Sequence, residues 1–202
     1  KIGVFGTGVV GQTIAEKLDS LGHAVVLGTR DVKATLARSD NDQFGRPPVR
    51  DWLPAHPNVQ LMTFGEAAAH GQLLVNATNG NGAMPALKAA GEANLAGKTL
   101  LDISNPLDFS KGFPPSLFVS NTDSLGEQLQ HAFPKVKVVK ALNTLTCFLM
   151  VAPRLLPDTH HIFLCGNDAG AKAEVRTLLS SFGWADDEML DLGMGALMHD
   201  VG

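Results

Sequence analysis

Along the chain, short runs of apolar residues alternate with stretches in which apolar positions recur every three or four residues. The runs KIGVF (1–5), AVVLG (24–28), VQLM (59–62), LLVNA (73–77), TLLDI (99–103), KVVKA (137–141), HIFLC (161–165) and EMLDL (188–192) predict eight strands. Most are apolar at successive positions, as strands covered on both faces are. Between them, Val10, Ile14, Leu18 and Leu21 share one face of a predicted helix, and so do Val175, Leu178, Leu179 and Phe182. A further helix is predicted to open at Ser124, with Glu127 in capping-box spacing, and to stop at Pro134. Alternation of this kind implies an α/β fold: a single Rossmann-type, doubly wound, mainly parallel sheet with helices on both faces. Residues 1–193 form one expected domain, and 194–202 a C-terminal tail belonging to an interrupted helical segment.

Residues 39–58 (SDNDQFGRPPVRDWLPAHPN) break this rhythm, being polar and proline-rich with Trp52 and Leu53 at the centre. Loops of that length are surface insertions or functional flaps. Here the alternatives are an insertion anchored by Trp52 and a flap over one end of a bound ligand. No internal repeat or second domain is visible.

Composition narrows the classes of function. The chain has 202 residues, 45% of them hydrophobic, and a net charge of -4. It carries no basic run to serve as a nucleic-acid footprint and no apolar stretch long enough to span a bilayer. Its two cysteines, Cys147 and Cys165, do not form a CxxC pair, and two small buried thiols suit a reducing, cytoplasmic compartment. The chain opens at Lys1, already inside a strand, so its natural start is expected upstream; the visible residues carry no signal peptide.

Gly6-Thr7-Gly8-Val9-Val10-Gly11 is a GxGxxG that follows an apolar strand and opens an amphipathic helix. In that context the first glycine permits the tight turn, the second lets a pyrophosphate approach the backbone, and the third lets helix and strand pack closely. The helix N-terminus offers amide hydrogens to the phosphates. An NAD-binding turn places an acid about 20 residues further on, to bind the ribose 2′-OH. That position here reads Gly28-Thr29-Arg30. Without an acid the penalty against a 2′-phosphate is removed. Thr29, Arg30 and Lys33 are the expected phosphate ligands, so the strand end is built for NADP(H). Asp31 is expected to begin the next helix and to point away from that phosphate.

The other strand ends read Asn76-Ala77-Thr78-Asn79-Gly80, Ser104-Asn105-Pro106 and Leu142-Asn143-Thr144. These residues can hold ribose, pyrophosphate and carboxamide but are poor proton carriers near neutrality. A dehydrogenase acting on an alcohol needs a positioned acid–base group. The chain has no tyrosine, and none of its seven histidines sits at a predicted strand C-terminus. His160 and His161 are adjacent and point to opposite faces of a strand. No metal-ligand spacing appears. Asp102 is expected to be structural and Lys140 is a weak candidate base, so no catalytic residue is assigned. Hydride transfer to a flavin-like ring needs little of this, because the cofactor carries the chemistry. The neutral site therefore points to a second redox cofactor as acceptor.

The segments VFGTGVVGQTIAEKL, GHAVVLGTRD, VNATNG, LLDISNPLDF, NTDSLGEQLQHAFP, KVVKALNT and GNDAGAKAEVRTLL resemble the NADP oxidoreductases dependent on coenzyme F420, a deazaflavin. The likeness runs from Lys1 to about Gly193. The cytoplasmic reductase domains of the STEAP metalloreductases, which pass hydride from NADPH to a flavin, look similar too. The resemblance implies a single NADP-binding domain with Gly6 to Gly11 as its phosphate turn. It implies a 2′-phosphate site at Thr29, Arg30 and Lys33; Ala77, Thr78 and Asn79 are expected cofactor contacts from their own place at the fourth strand's end. It places the nicotinamide near Ser104-Asn105-Pro106 and Ala141-Leu142-Asn143-Thr144. The second redox partner is then coenzyme F420 or a flavin. A non-catalytic NADP(H)-binding sensor, and an NADPH-dependent flavin or metal reductase, are the alternatives. A small-substrate reductase for imines or β-hydroxyacids ranks last, since the chain has no length left for a helical C-terminal domain. After Gly193 the sequence departs from the family's pattern and resembles a later part of the same tail. A homodimer is expected, and the apolar residues 194–198 suit either a partner subunit or the chain's own sheet. Lys111, Lys135, Lys137 and Arg154 are the basic residues available to the coenzyme's acidic tail.

Overall fold

The computed structural model describes residues 1–41 and 47–193. In chain order the elements are β1 Ile2–Phe5, α1 Val9–Ser20, β2 Val25–Thr29, α2 Val32–Leu36, α3 Val49–Trp52, β3 Gln60–Thr63, α4 Phe64–His70 and β4 Leu73–Asn76. They continue with α5 Gly80–Ala90, α6 Glu92–Leu95, β5 Thr99–Asp102, β6 Leu107–Asp108, β7 Ser116–Leu117, α7 Leu125–Ala132 and β8 Lys137–Ala141. The last four are α8 Cys147–Val151, β9 Ile162–Gly166, α9 Ala169–Phe182 and β10 Met189–Asp191. The tail at 194–202, with its expected packing, lies outside the described residues.

Eight strands form one sheet in the order β10-β9-β8-β5-β4-β1-β2-β3. The six from β3 to β8 are parallel, with Ile2 opposite Val25 and Leu73, and Thr99 opposite Lys137. β9 then runs antiparallel to β8, and β10 follows it in parallel. The sheet is therefore mainly parallel and doubly wound, with its strand order reversing between β1 and β4.

The continuous apolar runs are explained by two cores, one on each face. Ile2, Val4, Val25, Leu27, Val75, Leu101 and Val139 point to one face, against Ile14 and Leu18 of α1, Met150 of α8, and Val175 and Leu179 of α9. Phe5, Val26, Leu74, Leu100 and Val138 point to the other, against Phe64 and Ala67 of α4, Leu87 of α5 and Leu129 of α7. Successive strand residues thus feed opposite cores. Burying each of the larger side chains contributes about 1.5–3 kcal/mol.

Three expectations at the element level need correction. Leu21 is 39% exposed, because α1 ends at Ser20 and Leu21 only caps it. Ser124 accepts the Glu127 amide at 3.1 Å, which caps α7 without the reciprocal half of a capping box. The two-residue pair β6–β7 was not expected from the sequence. The insertion at 39–58 also contains α3 and a 3₁₀ turn, Leu53–Ala55.

Candidate dinucleotide site

β1 delivers the chain to Gly6, whose φ is +113°. A Cβ there would stand 2.6 Å from the Ala77 carbonyl oxygen, so glycine is required both by conformation and by the approach of the β4 loop. A Cβ on Gly11 would meet the Gly6 carbonyl oxygen at 2.1 Å, which fixes how closely α1 rests on the turn. Gly8 differs from both. Its φ of -78° and ψ of -176° are extended backbone that any residue adopts, and a Cβ there would meet nothing within 4 Å. Neither conformation nor protein packing asks for glycine at 8, whereas a phosphate lying on the backbone would. Gly8, the N-cap of α1, has no side chain to cap it, so among the described residues no N-cap bond covers the amides of its first turn, which suit an anion. Gln12 Nε2 donates to the Thr7 carbonyl at 2.9 Å and holds the turn.

At the end of β2, Thr29 is buried, with its Oγ1 2.7 Å from Thr35 Oγ1. The adjacent Arg30 and Lys33 are exposed. Asp31 is the N-cap of α2 and accepts the Ala34 amide at 2.9 Å, as the sequence led us to expect. A cleft of about 260 Å³ opens beside the glycine turn, lined by Thr7, Gly8, Val9, Gln12, Thr35 and Arg38 and walled by Asp40, Asn41 and Pro47 to Val49. Sequence reasoning missed Gln12, Thr35 and Arg38. Arg38 lies in a polar run whose composition carries no signal; only the fold brings it to the cleft. The anchoring role weighed for the insertion is seen at Trp52, and its described residues also border the cleft. Its two sides wall the cleft, and Trp52 packs on the core while stacking on His56 with ring centroids 3.8 Å apart.

The ends of β4, β5 and β8 lie side by side. Asn76 is fully buried; its Nδ2 donates to Asp102 Oδ1 at 2.7 Å, and its Oδ1 accepts the Thr78 hydroxyl at 2.7 Å. Asn79 caps α5 by accepting the Gly82 amide at 2.7 Å. The Ser104 hydroxyl donates to Asp102 Oδ1 at 2.7 Å. Asn105 Nδ2 donates to the Asn143 carbonyl at 2.7 Å, and Asn143 Nδ2 returns a bond to Asn105 Oδ1 at 3.2 Å. Ala141 and Pro106 are buried beside them, and Thr144 is exposed. The fold thus gathers 6–11, 77–79, 104–106 and 141–144 along one crevice at the strand C-termini. Thr29 ends β2 at its far end, and Arg30 and Lys33 follow it.

Lys140, the weak candidate base, is held in an ion pair. Its Nζ is buried and donates to Asp102 Oδ2 at 3.1 Å and to the Ser104 carbonyl oxygen. The basic residues considered for an acidic coenzyme tail do not share a face. Lys135 and Lys137 precede or begin β8, at the end of the sheet opposite the crevice, and Lys137 pairs with Asp168 at 3.3 Å. Arg154 pairs with Glu188, and that guanidinium together with the Ala185 amide holds the carboxyl below the usual carboxylate range. Lys111 lies between β6 and β7. Both cysteines are free and buried, and burial pushes the Cys165 thiol up to about 11. His70 ends α4, and His56 and His160 bond backbone carbonyls away from the crevice loops. Among the described residues, no three His, Cys, Asp or Glu side chains group so as to hold a metal ion. No helix among them is long and apolar enough to cross a membrane.

A glycine turn at the head of a 3-2-1-4-5 parallel order, with a crevice at the point where that order reverses, defines a dinucleotide-binding domain of the Rossmann class. The family model for coenzyme F420-dependent NADP oxidoreductases matches residues 1–106, and the chain belongs to that family. It is 53% identical to a protein of known structure from Arthrobacter sp. FB24, named as a candidate F420-dependent NADP-reductase; the TM-score is 0.92, over 100% of this chain and 88% of that one. The hypothetical protein SMa0349 from Sinorhizobium meliloti shares the fold, with a TM-score of 0.72 and 24% identity over 98% of this chain and 87% of its own. Metalloreductase STEAP3 from Rattus norvegicus is 26% identical over all 202 residues. This chain spans 35% of STEAP3, about a third of its length.

Proposed function

We propose that this chain binds NADP(H) in the crevice and transfers hydride between it and a flavin-like acceptor, with the deazaflavin coenzyme F420 first among acceptors. The observation that carries the reading is the chemistry of the strand ends. Among the described residues the crevice loops offer amides and hydroxyls, and the one lysine beneath them is consumed by Asp102. Such a site orients reactants and supplies no side-chain acid, which suits hydride transfer between two ring cofactors, the accompanying proton being exchanged with water. The family description supports F420 as the acceptor.

The residues present fit a dinucleotide. Gly6, Thr7, Gly8, Val9, Val10 and Gly11 would hold the pyrophosphate, with open space over Gly8 and uncapped amides behind it. Arg30 and Lys33, on the rim formed by Thr29, would pair with the 2′-phosphate, and Arg38 would reach the same nucleotide from the cleft wall. Ala77, Thr78 and Asn79 would line its middle. Ser104, Asn105, Pro106, Ala141 and Asn143 would frame the nicotinamide, whose ring supplies the hydride. The exposed aromatic residues Phe109, Phe113 and Phe118, which follow the β5 loop, support a homodimer that covers this end. The buried free thiols support a reducing, cytoplasmic setting.

The test is spectroscopic turnover of NADPH with F420, FMN, FAD or no acceptor. Reduction of the deazaflavin above the other acceptors is expected. Reduction of FMN or FAD instead would transfer the reading to the flavin and metal reductases. NADPH binding without turnover in any mixture would make the chain a sensor.

A further inference from the structure

We propose that the buried pair Asp102–Lys140 is a positioning device for the nicotinamide end of the crevice, acting through the Ser104 loop. The inference rests on the NADP(H) reading above and adds two residues that touch no cofactor.

Asp102 is the last residue of β5 and Lys140 the penultimate residue of β8, and their side chains are 0% and 2% exposed. Removing two charges from water is costly, and an apolar pair of similar volume often stabilises a fold as well or better. Stability alone is therefore a poor reason for the pair. Its hydrogen bonds supply a better one. Asp102 Oδ1 accepts from Asn76 Nδ2 at 2.7 Å, from the Ser104 hydroxyl at 2.7 Å and from the Ser104 amide at 3.3 Å. Asp102 Oδ2 takes Lys140, which also donates to the Ser104 carbonyl oxygen. Ser104 is thus held at its amide, its hydroxyl and its carbonyl by a single ion pair.

The constraint spreads from Ser104 to every loop of that end. Through Asn76 it reaches Thr78, whose hydroxyl binds Asn76 Oδ1 at 2.7 Å. The next residue after Ser104 is Asn105, which exchanges two bonds with Asn143 of the β8 loop. Gly80, at the start of α5, lies so close that a Cβ there would stand 2.3 Å from the Asn105 carbonyl oxygen. Between Lys140 and Asn143 the chain passes through Leu142, buried with φ +66°. Such a conformation persists only where its surroundings over-determine it, and it clusters at ligand sites. Three loops from three strands are thus fixed to one buried centre; among the described residues neither the glycine turn nor Arg30 bonds Asp102 or Lys140 directly, and the turn meets this network only through the Ala77 amide, which donates to the Phe5 carbonyl at 2.8 Å.

The test compares two ligands that share the phosphate end and differ in the nicotinamide. Wild type, Lys140→Met, Lys140→Arg and the apolar double variant Asp102→Leu/Lys140→Met would each be titrated with NADPH and with 2′,5′-ADP, alongside a thermal melt. Lys140→Met is expected to lose about tenfold in NADPH affinity, with 2′,5′-ADP affinity moving less than about twofold. Lys140→Arg should recover part of the loss. The double variant removes both charges but leaves the Asn76 and Ser104 donors without Asp102, so it should melt below wild type; it should keep the NADPH defect while still binding 2′,5′-ADP, which a purely structural role would not produce. The proposal is overturned if the double variant binds NADPH as wild type does, or if both ligands weaken together in step with the melt. A wild type that binds neither ligand removes the NADP(H) reading itself, and the proposal with it.

Discussion

The Asp31 carboxylate accepts the Ala34 amide at 2.9 Å, and so the acid nearest the end of β2 is committed to capping its own helix. Beside it the Arg30 guanidinium is exposed. Replacing Arg30 with alanine removes the charge-assisted bonds available to a 2′-phosphate, each contributing about 1.5–3 kcal/mol. We expect NADPH affinity to fall roughly 10- to 100-fold and NADH affinity to change little. Parallel titrations of the two nucleotides measure this, and an equal loss for both would show that Arg30 does not read the phosphate.

The three glycines of the turn should separate stability from binding. Gly8→Ala meets no protein atom within 4 Å, so its melting temperature should match wild type, while NADPH affinity drops. Gly11→Ala drives a methyl to 2.1 Å from the Gly6 carbonyl oxygen and should destabilise the fold by about 1–3 kcal/mol or more. Thermal melts paired with NADPH titrations distinguish these two outcomes. A Gly8→Ala protein that binds NADPH as wild type does would remove the phosphate from that spot.

Arg38 extends the site beyond what the sequence indicated. It lines the cleft beside Gly8 and Gln12. Arg38→Ala is expected to weaken NADPH and 2′,5′-ADP by a similar factor, about five- to tenfold, since both carry the part of the nucleotide that occupies this end. A defect confined to NADPH would place Arg38 on the nicotinamide side instead.

The N-cap of α9 gives a pH-dependent prediction. The Ala171 amide, and then Lys137, hold the Asp168 carboxyl below the usual carboxylate range. A depressed pKa in the fold stabilises it above the ordinary carboxylate value, and the contribution is lost as pH falls through that value toward the folded one. Asp168→Ala should therefore melt earlier than wild type at neutral pH, with the gap closing below about pH 4. Melting curves across that range check the sign, and a gap that widens in acid would contradict it.

How much of this was legible in the sequence depended on the kind of residue involved. The strands of the main sheet could be read because strands feeding two cores are apolar at successive positions, as Leu73, Leu74 and Val75 are. The pair β6–β7 could not, since Leu107-Asp108 and Ser116-Leu117 are too short to show a period. Leu21 kept helical spacing one residue past the end of its helix, and spacing alone does not mark the stop. The glycine turn and the Arg30 position were visible because backbone sterics and phosphate charge impose fixed residue types. Arg38 depended on where the end of α2 lies beside the glycine turn, which composition does not encode. Asp102 and Lys140 did leave a signal: oppositely charged residues embedded in adjacent buried strands need each other, and listing Lys140 as a weak candidate base overlooked that pairing.

The measurement that bears most directly on the central claim is a calorimetric titration of the wild-type protein with NADPH and, separately, NADH. An open glycine turn with Arg30 and Lys33 at an acid-free strand end predicts one site per chain, with NADPH bound about 10- to 100-fold more tightly than NADH. Equal affinity for the two, or no binding of either, would contradict it.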